Sequence, residues 1–586
     1  MGRLLKYFIA LVSLWILLPK IASATGTWKP VTNSAPNANG GVSVLLTDGT
    51  VMVVTLDSAL SADGKNYGNV WNLLTPDIHG SYTNGTWSQL PAMHRNRLYF
   101  STQVLPSGNL YVAGGEYFIT GNSAEVFNTL TDTWDTIINT IANGAIISDA
   151  NSKLLPDGNV MQAIVVKPGF NTGTQNELYN PQSNTMTYAN PILYCSDEAS
   201  WVTLPDGSIL NPDTYTESCE RFIPSEGVWM YEGLIPTHLF DEHLYEMGAG
   251  LLLPNGKVFF LGDSMFTAIY TPSGNNQPGT WERGPAMPNI NGRQLGCPDA
   301  PAAMLPNGKI LCLFSPSATY NDSTYYYEFD YTTNLFTPLI SPYGNYLDYS
   351  SGFSHTLLDL PDGSVLIGNY GYNQYYTYVA DGSPLLEGKP TIDNIRSNCT
   401  HYSITGKLFN GISEGAAYGD DWQMSTNYPI VQLARNDSVY YAKTINWNRP
   451  GAVMTGTLED TAHFILPESI LSGPYQAKVI VNGIASDAYP VTLTCDGKGN
   501  KLIERGGALI YPNPSPSGIY TLDNSTGSDN GQLMIYDVIG QLIEIVNYQP
   551  FTTQQVDLSE KASGVYIYRM NNAGGSNNKT GKIIKE

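Results

Sequence analysis

The sequence predicts an all-β chain, a ring of repeated antiparallel sheets followed by two small β-sandwich domains. Three observations predict it. Charged residues make up only 14% and aromatics 11% of the 586 residues, with 57 Gly and 37 Pro, a balance that favours short strands joined by turns. A hydrophobic run, a Pro-Asp-Gly-like turn and a second hydrophobic run recur seven times. After nearly every such hairpin stands a further short element that ends in a large side chain. The length leaves room for two to four domains.

The chain opens with Arg3 and Lys6, an apolar run from Tyr7 to Leu18, and Ala22-Ser23-Ala24 in the small-x-small pattern of a cleavage site. Residues 1–24 are therefore expected to be a secretory signal peptide, because the apolar run is shorter than the roughly 20 residues that span a bilayer. No membrane span is expected after cleavage. Loss of Arg3, Lys6 and Lys20 takes the formal charge from −22 to −25. So acidic a surface repels phosphate backbones and excludes nucleic acid as a partner.

The seven hairpins centre on Gly49, Gly108, Gly158, Gly207, Gly256, Gly308 and Gly363, at intervals of 49 to 59 residues. Asp-Gly, Asn-Gly and Ser-Gly turns supply the positive φ that a tight hairpin needs. The elements GTW87, DTW134, NTM186, GVW229, GTW281 and NLF336 read as outer strands of six sheets. The seventh hairpin lacks one, and GTW28 at the start of the mature chain is the spare. An N-terminal strand is thus expected to complete the last sheet and close a seven-bladed β-propeller over residues 25–389, leaving no open edge. The period near 50 resembles the kelch repeat. Its glycine pair is kept in the second repeat alone, as Gly114-Gly115.

Residues 390–496 read as short alternating strands with the length of an immunoglobulin-like sandwich. They also resemble the early-set domain that follows the propeller in galactose oxidase-like proteins. Within them, NGISEGAAYGDDWQ is too aromatic and Gly-rich for a simple strand and is expected to reach the propeller as a loop. A polar linker, 497–508, leads to residues 509–586, where YPNPSPSGIYTL, MIYDVIGQLIEIV and LSEKASGVYIYRM alternate as a second small sandwich. These phrases resemble the type A sorting domain of the type IX secretion system of Bacteroidota. The resemblance implies export to the cell surface or beyond, with the secretion machinery as a partner.

Six cysteines in an exported chain are disulfide candidates. Cys195 and Cys219 stand almost symmetrically about the fourth turn, which predicts a bridge. Cys399 and Cys495 bracket the immunoglobulin-like domain and could tie its ends. The pairing of Cys297 and Cys312 stays open, and buried reduced thiols are the alternative for all six.

The stretch MHRNRLYFSTQVLPSGN, with Arg97 and Tyr99, resembles the galactose oxidase segment that carries the copper-ligating, radical-forming tyrosine. That resemblance implies four further parts: a cysteine crosslinked to the tyrosine, a second tyrosine beside a histidine before the last turn, and a histidine in the early-set domain. Gly40 stands where the cysteine is expected and Ser354 where the second tyrosine is expected, while His355 is kept. The early-set segment has no histidine, with Tyr418 the nearest bulky residue. The oxidase chemistry is therefore expected to be lost although the fold is kept.

The loops at the hairpins' open ends share one face, where propellers hold ligands. The candidates on it are Arg97, Tyr99, Asp197, Glu198, Asp241, Glu242, His243, Arg293 and His355. Tyrosines with carboxylates suit sugar recognition, and paired acids such as Asp197-Glu198 or Asp241, Glu242 and Glu246 suit a glycosidase or calcium. The leading expectation is non-catalytic binding of an extracellular glycan or protein. A carbohydrate-active enzyme with a non-copper site is the alternative, and a residual copper oxidase the second. No cofactor or metal site is assigned, with copper and calcium left open.

Overall fold

The computed structural model describes residues 26–585 apart from 38–39, 56–67, 117–120, 141–144, 166–174, 191, 195, 197, 242–244, 318–321, 346, 371, 398–401, 418–425, 450–457, 495–508, 512, 525–529, 550–551 and 573–578. The expected signal peptide and linker lie outside the described residues, as do Cys195, Asp197, Glu242, His243, Cys399, Tyr418 and Cys495. The fold is all-β. Its one described helical element is a 3-10 turn at Gly352–Ser354.

Among the described residues, seven antiparallel sheets follow one another up to Val379. The first is representative: Gly40–Leu45, Val51–Thr55, Val70–Thr75 and Thr86–Leu90 pair in chain order. Its tight turn holds because the Gly49 N–H donates to Leu46 O and the Leu46 N–H to Thr50 O. The same pair of bonds recurs at Leu105, Leu155, Leu204, Leu253, Leu305 and Leu360, each three residues before a glycine with φ between 75° and 86°. All seven leucines are buried, so every turn is anchored by one apolar side chain while its glycine takes the left-handed conformation.

The last sheet runs His355–Asp359, Val365–Asn369, Tyr376–Val379 and then Thr27–Pro30, with Trp28 opposite Tyr378. The strand missing from the seventh repeat is supplied from the start of the chain, as GTW28 predicts. Trp28 packs 4.5 Å from the Tyr378 ring and 5.7 Å from Tyr326, and its indole N–H donates to Ile340 O at 2.8 Å. Strand Gly40–Leu45 lies against His355–Asp359, so the first and last sheets are neighbours in space.

Eight strands between Thr391 and Leu493 connect into one antiparallel sheet, which buries Ile404, Leu433, Phe464 and Val479. From it the segment 413–417 reaches into the preceding sheets, as its Gly-rich composition predicts. Ala416–Ala417 pairs with Ala302–Ala303, and the Met304 N–H donates to Gly415 O at 2.6 Å. Just before it, Glu414 sits buried with Oε1 3.0 Å from Lys153 Nζ, while its Oε2 accepts from the Leu252 N–H at 3.3 Å. With the Thr203 N–H 3.5 Å from Oε1, one carboxylate ties three repeats to the segment that follows them. Residues 509–585 form two further sheets around Tyr520, Leu522, Leu533, Ile535 and Ile583.

Removing one member of a buried ion pair strands the other. Glu414→Gln is expected to cost roughly 3–5 kcal/mol of unfolding free energy, and adding Lys153→Met is expected to recover most of it. Chemical denaturation of both variants checks this, and equal destabilisation of the single and double variants would contradict it.

Candidate functional site

The residues that survive from the copper-oxidase pattern are held as structure. Arg97 is fully buried: its guanidinium donates to Gly114 O, to Ser123 O at 2.8 Å and to Glu125 Oε1 at 3.0 Å. It is thus removed from the ligand-facing set that the sequence suggests. His355 is also buried. Nδ1 lies 2.9 Å from Ser351 O, and Nε2 lies 2.9 Å from Asp348 Oδ2, 2.8 Å from the Asn369 amide and 3.1 Å from the Tyr326 hydroxyl. A ring nitrogen bonded to a carbonyl oxygen carries its proton there, so Nδ1 has no lone pair to offer a metal. Burial raises the Asp348 carboxyl, but the hydrogen bond and charge of His355, with the Ser350 N–H and Tyr326, outweigh it and hold it below its ordinary value.

Gly40 has no room for a side chain. A β-carbon there would stand 1.7 Å from the Tyr375 hydroxyl, so a crosslinking cysteine would displace Tyr375. Ser354 donates its hydroxyl to Ser351 O at 2.7 Å. Tyr99 is half-buried, with its ring 6.2 Å from that of Tyr370.

These three positions share a register that the motif comparison alone misses. Gly40, Tyr99 and Ser354 each lie nine residues before a turn glycine. So do Asp149, Glu198, Met247 and Asp299, with Glu246 one residue earlier. Here the structure converges. Ligand oxygens of Glu116, Asp149 and Glu198 lie within 4.8 Å of one another, and so do those of Glu198, Glu246 and Asp299. Glu198 belongs to both triads. Three carboxylate oxygens in such a group suit a hard, oxygen-liganded cation such as calcium and do not suit Cu(II), which prefers nitrogen. Of the acids the sequence offers, Glu198 and Glu246 join this cluster. Asp149, Asp299 and Glu116 were missed, although aligning the repeats on their glycines places the first two.

The remaining candidates are dispersed. Asp241 closes a local loop, its N–H donating to Glu246 O at 3.2 Å and its Oδ2 accepting from the Glu246 N–H at 3.4 Å. Arg293 is exposed and paired with Asp322. The bridge expected between Cys195 and Cys219 is not formed: Cys219 is a free buried thiol that donates to Asn211 O at 3.2 Å. The symmetry argument treats both cysteines as flanking one hairpin, but Cys219 lies opposite Pro212, on the third strand of its sheet. Cys297 and Cys312 are free and buried too, and burial pushes the Cys297 thiol up to about 12.

Glutamates on third strands hold the loops that lead to this face. Glu125 accepts from the His94 and Arg95 N–H groups at 2.7 and 3.1 Å, and Glu220 accepts from Leu193 and Tyr194 at the same distances. Glu125 has Arg97 beside it, whereas no described cation pairs with Glu220. Burial pushes the Glu220 carboxyl up to about 7, against the bonds from Leu193, Asn211 and Tyr194.

Residues 509–586 match the family described as a secretion system C-terminal sorting domain, and the chain is a secreted or cell-surface protein. No described helix is long and apolar enough to cross a membrane. No curated protein matches the chain. Among solved structures, a fungal alcohol oxidase of the AA5 family in complex with copper is similar at 14% identity and a TM-score of 0.51, over 80% of this chain and 100% of that one. That likeness concerns the fold. A streptogramin B lyase is similar at 11% identity and a TM-score of 0.42, over 61% of this chain and 98% of that one. PorZ, a surface component of the type IX secretion system of Porphyromonas gingivalis, is similar at 13% identity and a TM-score of 0.27, over 95% and 75%.

Because its folded pKa is raised, Glu220 contributes stability that is present below the ordinary glutamate range and lost as pH rises through about 7. Denaturation midpoints measured between pH 4.5 and 8 are expected to fall over that window, and Glu220→Gln is expected to flatten the profile. An unchanged slope in the variant would remove Glu220 as its source.

Proposed function

We propose that this secreted or cell-surface chain is a binding protein. Its repeats close as a seven-bladed propeller, residues 390–496 form an immunoglobulin-like domain, and an extracellular glycan or protein binds on the loop face without redox chemistry. One observation carries the reading. The seats that would form a copper centre hold a glycine with no space beside it, a half-buried tyrosine and a serine next to a fully bonded histidine, while the acids on the same face converge. The site in the fold is kept as a surface and has lost its redox ligands. Export through the type IX machinery brings that surface to extracellular material.

The carboxylate cluster supports a second reading, a carbohydrate-active enzyme with a non-copper site. Carboxyl oxygens within 4.8 Å lie close to the roughly 5–5.5 Å separation of retaining glycosidases. Release of reducing sugar by the secreted chain, abolished in Glu198→Gln, would replace the binder with this enzyme.

The secreted chain, loaded with Cu(II), dialysed and offered simple alcohols and aldehydes, is expected to retain no stoichiometric copper and to release no peroxide. Retained copper with alcohol-dependent peroxide would overturn the proposal and restore the oxidase.

A further inference from the structure

Three tyrosines from two segments, 340–345 and 372–376, meet on the loop face. Tyr343 is 37% and Tyr372 52% exposed, with ring centroids 6.2 Å apart and planes at 41°. Tyr376 lies 5.4 Å from Tyr343 at 81°. From this grouping we infer that Tyr343, Tyr372 and Tyr376 form a subsite for the apolar ring face of a neutral glycan, an inference that rests on the binding role of the loop face.

The platform is built before any ligand arrives. Tyr343 sits in a tight turn, where the Gly344 N–H donates to Ser341 O at 3.0 Å and the Ser341 N–H to Asn345 O at 2.6 Å, with Pro342 restricting the first corner. The Tyr372 N–H donates to Asn369 O at 3.3 Å, and Tyr376 belongs to a strand paired on both sides. Beneath the rings, the Asn369 side chain hydrogen-bonds Tyr343 and also touches His355 Nε2, which is fixed in turn by Asp348. The histidine retained from the oxidase pattern thus becomes a positioning residue under the aromatic surface. Rigid aromatic side chains cost little entropy to order on binding, which favours them as anchors.

The chemistry of the surroundings selects the ligand. From Ile340 to Tyr376 the chain has no Lys or Arg, and its acids include Asp348 directly behind Tyr343. A uronic or sulfated sugar would meet an acid-rich field and no cation from this stretch, the described cation beside it being Lys29 on the strand paired to Tyr376–Val379. Each exposed ring presents an apolar face edged by its own hydroxyl, near Ser341, Asn345 and Asn369, and this alternation suits a sugar whose apolar face is bordered by hydroxyls.

The test uses the full secreted chain and calorimetric titration with cellohexaose, xylohexaose, mannohexaose, laminarihexaose and polygalacturonate. At least one neutral hexasaccharide is expected to bind. Tyr343→Ala and Tyr372→Ala are each expected to weaken it about tenfold, whereas Tyr343→Phe and Tyr372→Phe, which keep the ring, should stay within about twofold. Both side chains are substantially exposed, and a native thermal midpoint in the alanine variants separates lost binding from lost folding. Binding that ignores both alanine variants but weakens in Glu198→Gln overturns the subsite and leaves the loop face as the binding surface. Preference for polygalacturonate overturns the neutral ligand. If no oligosaccharide binds, the subsite fails together with the glycan half of the proposed function, leaving a protein partner.

Discussion

Everything on the loop face depends on the hairpin turns at the opposite end of the sheets. Each turn is fixed by a buried leucine and a glycine three residues later, joined by two backbone hydrogen bonds that recur in all seven repeats. Once that register is set, the residue nine positions before the glycine stands near the start of its strand whatever its side chain is. A one-residue slip would move every inward side chain outward, so the turn chemistry decides which atoms meet at the face. Gly40, Tyr99, Asp149, Glu198, Asp299 and Ser354 occupy these seats because of glycines some distance away in space.

The inserted segment constrains the other end. Glu414 contacts Lys153 and backbone groups at Thr203 and Leu252, which belong to successive repeats, and the strand beside it extends the pairing of Ala302–Met304. Nearby, the Asp359 carboxyl is buried and pushed well above its ordinary value by desolvation.

How much of this was legible depended on whether the signal was local. The hairpins were readable because Asp-Gly and Asn-Gly turns between apolar runs are local chemistry, and the pairing of Trp28 with Tyr378 followed from counting outer elements. The reach of 413–417 into the repeats was legible from composition. The fate of Arg97 and His355 was not, since burial and bonding to Glu125, Asp348 and Asn369 depend on partners 7 to 28 residues away whose approach no motif encodes. Cys219 failed for a similar reason: equal spacing about a turn says nothing about which strand of the sheet a residue joins. The acids at Asp149 and Asp299 were visible only after the repeats were aligned on their glycines.

That alignment also shows how little the side chain at the seat bears on the sheets. Three of these seats, Tyr99, Glu198 and Asp299, take φ between 45° and 55°, a region costly for most side chains, whereas Gly40, Asp149, Met247 and Ser354 do not take positive φ. The position nine residues before the turn glycine thus carries glycine, tyrosine, methionine, serine or an acid in different repeats while the turn bonds recur in all seven. Acids in several such seats bring carboxylate oxygens within 4.8 Å of one another, a grouping that repels anions and attracts cations. On a chain already at −22, that field steers anionic polymers away from the whole face. A neutral sugar approaches the tyrosines without the electrostatic cost that an anionic one meets.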